Sequence, residues 1–228
     1  MTADADVPRS RRERPAKPAL TRAGIVAAAV ELMRAEGLER VTMRRLAQQL
    51  DTGPASLYVY VRNTAELHAA VLDELLGAVE LAPEGAGDWR DRLVRVLTSY
   101  VDVLFAHPAL ARSALVARPS GAHYLDLVEA LLALLAEGGV PRREAAWALD
   151  LLLQHATATA AEQATRGQDT EAQDDWDALT AAVRGAADER HPQVATHGDE
   201  LLSGTPQQRL SWGFHVLIGG ILATPAPE

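Results

Sequence analysis

A short stretch opening at Pro54 offers the clearest surface for chemistry with another molecule. Leu57 and Val61 stand four residues apart and turn inward together, which leaves Ala55, Ser56, Val59 and Tyr60 outward. A small side chain beside a hydroxyl admits close approach to a groove, and a tyrosine hydroxyl reaches a phosphate at the groove edge. That chemistry is recognition, not bond making. A second group, His155, Thr159 and Glu162, falls at i, i+4 and i+7 on one face of an Ala/Leu-rich helix. Two readings stand for it: hydrogen-bonding anchors for a small ligand, or His155 and Thr159 as satisfied core or interface groups with Glu162 solvated. No metal and no other cofactor is expected.

The usual signatures of catalysis are missing. There is no Gly-x-Ser-x-Gly, no His-Glu-x-x-His, no phosphate loop and no Gly-x-Gly-x-x-Gly. A helical enzyme is therefore the weaker alternative, beside a helical interaction module without DNA function. The 228 residues include no cysteine, which excludes disulfides and thiolate metal sites and agrees with a reducing cytoplasm. No apolar run reaches the roughly 18 residues that span a bilayer, so no membrane partner is expected. The arginines near the start precede no apolar signal segment.

The net charge of −9 argues at first against a polyanionic partner. Its distribution reverses that inference. Residues 1–64 hold 11 Lys/Arg against 7 Asp/Glu, a net of +4, and residues 65–228 hold 11 against 24, a net of −13. A basic head on an acidic body suits a protein that touches phosphate at one end, although a basic tail kept for solubility has the same signature.

Helical periodicity dominates the rest, with no convincing period-2 alternation and no repeat. Residues 1–19, broken by Pro8, Pro15 and Pro18, read as a disordered basic arm. Thr21 and Thr42 look like N-caps, flanked by the hydrophobic staples Leu20/Ile25 and Val41/Leu46. Asp51-Thr52-Gly53 is a tight connection, and Pro54 suits the first position of a helix running to about Val61. Thr64 is the expected cap of a fourth helix. Asp88 caps a long one with Tyr100 and Leu104 inward; Leu127 and Leu131 face inward on the next. A helix from Pro141 to about Arg166 carries Trp147, Leu151, His155 and Glu162 toward a pocket. A weaker helix lies near 176–188, and a capping box at Thr205–Gln208 opens the last helix. The expected fold is all-α, with about ten helices.

Leu210, Phe214, Leu217 and Ile221 make one apolar stripe on that last helix, and Trp212, Val216 and Gly220 make another. A terminal helix apolar on two sides needs a second covering surface. Gly219 and Gly220 would cost helix stability unless a close helix contact requires them.

Three short helices over 21–61 form a helix-turn-helix pattern, or else a plain packing unit. The segments Val41-Thr42-Met43-Arg44-Arg45-Leu46-Ala47-Gln48-Gln49-Leu50 and Ser56-Leu57-Tyr58-Val59-Tyr60-Val61-Arg62-Asn63 closely resemble the DNA-reading unit of the tetracycline-repressor (TetR/AcrR) family. The resemblance implies that Thr42 binds phosphate, that Arg44 reads a base edge, most naturally guanine, and that Ala55 and Ser56 face bases. It implies phosphate contacts for Tyr58 and Tyr60. Arg44 as a solvated charge and Tyr58 as a structural residue are the alternatives. Family members often carry a lysine after the asparagine; Thr64 stands here, and its hydroxyl offers a phosphate contact without charge. Arg9, Arg11, Arg12, Arg14 and Lys17 compensate along the minor groove or are a mere tail.

Further on, Arg118-Pro119-Ser120 with Tyr124, Gly138-Gly139, and Trp212-Gly213-Phe214 with Ile218-Gly219-Gly220 resemble the tetracycline-repressor-like C-terminal domain. Tetracycline-binding members place a histidine four residues before this Arg-Pro, to hold drug-bound magnesium. Ala114 stands there, and Glu80 and Val96 replace the drug-holding histidine and asparagine. A different, largely apolar effector is expected, in a pocket built from Tyr100, Leu104, Ala114, Leu127, Leu131, Trp147, Leu151, His155 and Glu162. Arg118 pairs with an acidic ligand there, or caps a helix or forms a local salt bridge. The implied organisation is a helix-turn-helix domain at 20–64 and a ligand-binding and dimerisation domain at 65–228. The implied function is a cytoplasmic, ligand-responsive repressor, a homodimer on a palindromic DNA operator.

Overall fold

Thr21 opens the first helix, its Oγ1 accepting from the Gly24 N–H at 3.0 Å. In the computed structural model, which describes residues 19–82, 87–115, 119–167, 171–187 and 189–227, this helix, α1, runs Arg22–Glu36 and buries Ile25, Ala29, Leu32 and Met33. The expected arm and Arg118 lie outside those residues. Gly37, at φ 89°, ends α1 with its N–H on the Met33 carbonyl, and a 3-10 turn at Leu38–Arg40 seats Leu38 in the core. Thr42 then caps α2 (Met43–Gln49), accepting from the Arg45 N–H at 3.2 Å. Asp51 takes φ 48°, a left-handed conformation that a short polar side chain tolerates. The chain turns into α3 (Pro54–Leu57), with Pro54 in its first turn.

Two local expectations change here. The α-helical turn of α3 closes at Leu57 and continues to Val61 as turns, with the Tyr60 and Val61 N–H groups both on the Leu57 carbonyl. The fourth helix, α4 (Thr64–Leu76), is capped by Asn63 rather than Thr64: Asn63 Oδ1 accepts from the Glu66 N–H at 2.8 Å. Asn63 wins because Glu66 folds back, accepting from the Arg62 N–H and Nε, both at 2.9 Å, and this fixes the chain before the helix. Those contacts hold the Glu66 carboxyl below its usual range, the backbone hydrogen bond being the largest cause.

Asp88 caps α5 (Trp89–Phe105) through the Arg90 and Asp91 N–H groups. Then come α6 (Pro108–Ala114), α7 (Ala122–Glu137) and α8 (Arg142–Arg166). Gly138 after α7 leaves room for the Trp89 ring, which a Cβ would overlap. α5 lies along α8, α6 and α7 pack against both, and α1 and α7 each pack on α4. α9 (Ala172–Arg184), starting earlier than expected, contributes no buried side chain. The stretch between α9 and Thr205 holds two five-residue helices, α10 (Pro192–Thr196) and α11 (Gly198–Leu202). The capping box at Thr205 and Gln208 opens α12 (Pro206–Ala223), which packs on α5 and α8 through Leu210, Phe214 and Ile218. The described residues thus hold twelve α-helices, one 3-10 turn and no strand. Among them no single helix is long and apolar enough to cross a membrane.

Candidate nucleic-acid interface and ligand cavity

Two buried anchors orient the end of the head. Leu57 and Val61 are 0% and 1% exposed, while Val59 is 78% and Tyr58 52% exposed. Ala55, Ser56 and Tyr60 are also exposed. α2 contributes exposed Thr42 and Arg44 to the same end. The adjacent arginines divide in role. Arg45 Nε donates to Glu36 Oε2 at 3.1 Å, with a second contact through Nη2, and this pair ties α2 to α1. The pairing raises the Arg45 pKa and lowers that of Glu36. Arg44 makes no hydrogen bond or ion pair among the described residues, so its guanidinium is open to an outside acceptor. Thr64 is half-buried in the first turn of α4, beside this surface.

In the body, a cavity of about 260 Å³ lies among α5, α6, α7 and α8, with Tyr100, Tyr124, Asp150, Gln154 and Thr157 as its polar lining. The Tyr100 hydroxyl and Thr157 Oγ1 share a 2.8 Å hydrogen bond between buried residues. Burial pushes the Tyr100 pKa up, and nearby Tyr124 adds to this against the opposing hydrogen bond from Thr157. Ala114, Leu115 and Pro119 also line it.

Of the expected pocket residues, Tyr100 and Ala114 line this cavity. Leu104, Leu127 and Leu131 are buried core residues and do not reach it. Trp147 and Leu151 are exposed, and they line a separate open groove of about 980 Å³ between α8 and α12. His155 sits in the α8–α12 seam, against Gly213 and edge-on to Phe214 with ring centroids 5.5 Å apart. Glu162 is exposed and pairs with Arg166 at 2.7 Å. The cavity face of α8 is instead Asp150, Leu153, Gln154, Thr157 and Ala158. α8 is apolar on two faces, one toward α5 and one toward α12, so its periodicity alone fixes no phase. The signal in the sequence for the cavity face is the spacing of Leu153 and Thr157, four residues apart.

Comparison with known proteins follows this division. The family model described as "Bacterial regulatory proteins, tetR family" matches residues 25–71, and "Tetracyclin repressor-like, C-terminal domain" matches residues 82–224. The chain belongs to the TetR family of bacterial regulatory proteins. It is similar to the solved Streptomyces protein SCO7704, at 61% identity with TM-score 0.78, covering 93% of this chain and 99% of that one. ActR from Streptomyces coelicolor, solved in complex with actinorhodin, is 33% identical with TM-score 0.80, covering 90% and 97%. The tetracycline repressor of class G from Vibrio anguillarum is 26% identical over 90% of this chain and 98% of its own. Two other curated relatives match over less: 54% of a Saccharopolyspora erythraea HTH-type transcriptional regulator and 37% of the repressor DrrR1 from Streptomyces coeruleorubidus.

Proposed function

We propose that this chain is a cytoplasmic, ligand-responsive repressor that binds a near-palindromic DNA operator as a homodimer and is released by a small, largely apolar molecule. The observation that carries the reading is the Arg44–Tyr60 end of the head: Leu57 and Val61 are sealed in the core while Arg44, Ser56, Tyr58 and Tyr60 stay exposed. Arg44 reads a base edge, Ala55 and Ser56 approach bases, and Thr42, Tyr58, Tyr60 and Thr64 hold phosphates.

A second copy is supported by the body. Trp212, at 70% exposed, Val216 and Leu222 on α12 and Trp147 and Leu151 on α8 are large apolar side chains left exposed on these two packed helices. Gly219 and Gly220 have no neighbour within 4 Å on their Cβ side, which leaves room for another helix. A dimer built on these two helices sets two reading ends roughly 34–36 Å apart, one DNA turn.

The effector occupies the cavity lined by Tyr100, Tyr124, Gln154 and Thr157. Its hydroxyls, its amide and the Asp150 carboxylate suit a compact molecule with a few polar groups, hydrogen-bond donors among them, on an apolar frame. ActR, similar over nine-tenths of this chain, is solved with actinorhodin. Binding acts through whichever state it favours, and a ligand that binds both states equally releases nothing.

The test is selection of duplexes from a random pool by the full-length chain, with its mass in solution measured alongside. Enrichment of a near-palindrome by a dimer, with binding that weakens steeply with salt, is the expected result. A strictly monomeric chain, or a pool that stays unenriched, overturns the reading.

A further inference from the structure

α7 has no cap of its own. Its N-cap is Gly121, which carries no side chain to satisfy the first amides. The acceptor comes from another helix: Asp73 Oδ1, on α4, accepts from the Tyr124 N–H at 3.0 Å. Tyr124 is the third residue of α7, where an ordinary N-cap side chain would reach. The carboxylate also faces the positive end of the α7 dipole. Gly121 is required by this arrangement rather than by its backbone. Its φ of −89° suits any residue, but a Cβ there would overlap the Asp73 carboxylate. One turn on, Gly77 lies under the His123 ring, where a Cβ would sit 3.0 Å from Cε1. α4 and α7 therefore interlock at two adjacent points.

Each end of this joint leads to a site. Toward the cavity, Tyr124 is a lining residue. Toward the head, the His68 ring on α4 lies 3.0 Å through Nε2 from the Val41 carbonyl, just before the cap of α2. A carbonyl only accepts, so Nε2 carries the proton.

We propose that Asp73 is the positioning residue that ties the cavity to the head: it caps α7 from α4, so that Tyr124 and α4 move as one unit. This rests on the DNA-binding reading above and names the joint through which effector and operator sense each other. Any group that displaces Tyr124 pulls on α4, and operator binding that fixes α4 orders the start of α7.

The test is amide hydrogen exchange followed by NMR on the full chain, free and bound to a duplex from the selection above. In the free protein, Asp73→Ala speeds exchange of the Tyr124 amide roughly fivefold, and of α4 amides beside it. Asp73→Asn keeps an acceptor oxygen and stays near the parent. Gly121→Ala drives the carboxylate away and acts like Asp73→Ala, whereas Gly121→Ala made in the Asp73→Ala background adds nothing further. Bound duplex slows exchange at residues 122–124 in the parent, and this slowing is lost in Asp73→Ala although the duplex still binds. Unchanged Tyr124 exchange in Asp73→Ala and Gly121→Ala overturns the proposal, as does undiminished slowing in Asp73→Ala. Should Asp73→Ala fail to fold, Gly121→Ala against Asp73→Asn makes the same comparison. If the parent binds no duplex, the DNA reading falls by itself. The free protein then decides: a freed Tyr124 amide beside unaltered α4 exchange overturns the tie.

Discussion

The head and the body treat polar chemistry in opposite ways. The head spends its few large apolar residues, Ile25, Leu32, Leu46 and Leu57, on a core beneath short helices, and turns Arg44, Ser56 and Tyr60 outward. The body covers this part of its chemistry: Tyr100 and Thr157 are buried and satisfy one another, while the apolar Trp147, Trp212 and Val216 are exposed. A polar group left outward costs nothing until a partner arrives and then offers its whole bonding capacity. A polar group placed inward must already be paired, so a ligand there has to better an existing hydrogen bond. On the proposed function, the head meets a large charged polymer and the body discriminates among small molecules.

The largest effect belongs to the head's core. Leu57→Ala removes a fully buried side chain from a four-residue helix that has little else to hold it. A loss of about 2–5 kcal/mol is expected, read by denaturant unfolding, with DNA binding lost first. Parent-like stability would mean that α3 is held by its turns alone. Next comes the reading surface. Arg44→Ala is expected to weaken operator binding by about 1–3 kcal/mol and to relax base preference at one position per half-site. Arg45→Ala, one residue on, should leave base preference untouched because that guanidinium is engaged with Glu36. Equal loss of preference in both, measured by competition with altered duplexes, would erase the division between them.

Much of the head was legible because its signals are local. A threonine with a free hydroxyl, an apolar residue before it and another four after it specify a helix start whatever lies nearby, and Thr21 and Thr42 both behave so. The phase of Leu57 and Val61 follows from spacing alone. Asn63 and Thr64 show the limit: both types can cap, and the choice fell to Glu66 reaching back to Arg62, a contact between side chain and backbone four residues apart. In the body the signals are tertiary. α8 is apolar on two faces, so nothing in its own sequence tells which side meets α5 and which α12. Trp147 and His155 are the chemically richer residues of α8, whereas the cavity uses the plainer Leu153 and Thr157. The cap of α7 lies 51 residues away on α4, beyond any local pattern.

The smallest expected effect tests the buried side of the contrast. Tyr100→Phe leaves Thr157 without its partner and Thr157→Val leaves the Tyr100 hydroxyl likewise, each costing stability. The double replacement removes both polar groups and should cost less than the two singles together, with a coupling of about 1 kcal/mol by denaturant unfolding. Alkali sharpens the point. Burial raises the folded pKa of Tyr100 above its ordinary value of 10.0. The folded state therefore holds that proton more tightly, a contribution fully present below pH 10.0 and lost as pH rises through the folded value. Tyr100→Phe should remove this share of the alkaline sensitivity. Additive singles, or an unchanged alkaline limb in Tyr100→Phe, would mean that water already reaches the pair, and the body would then present its polar groups as openly as the head does.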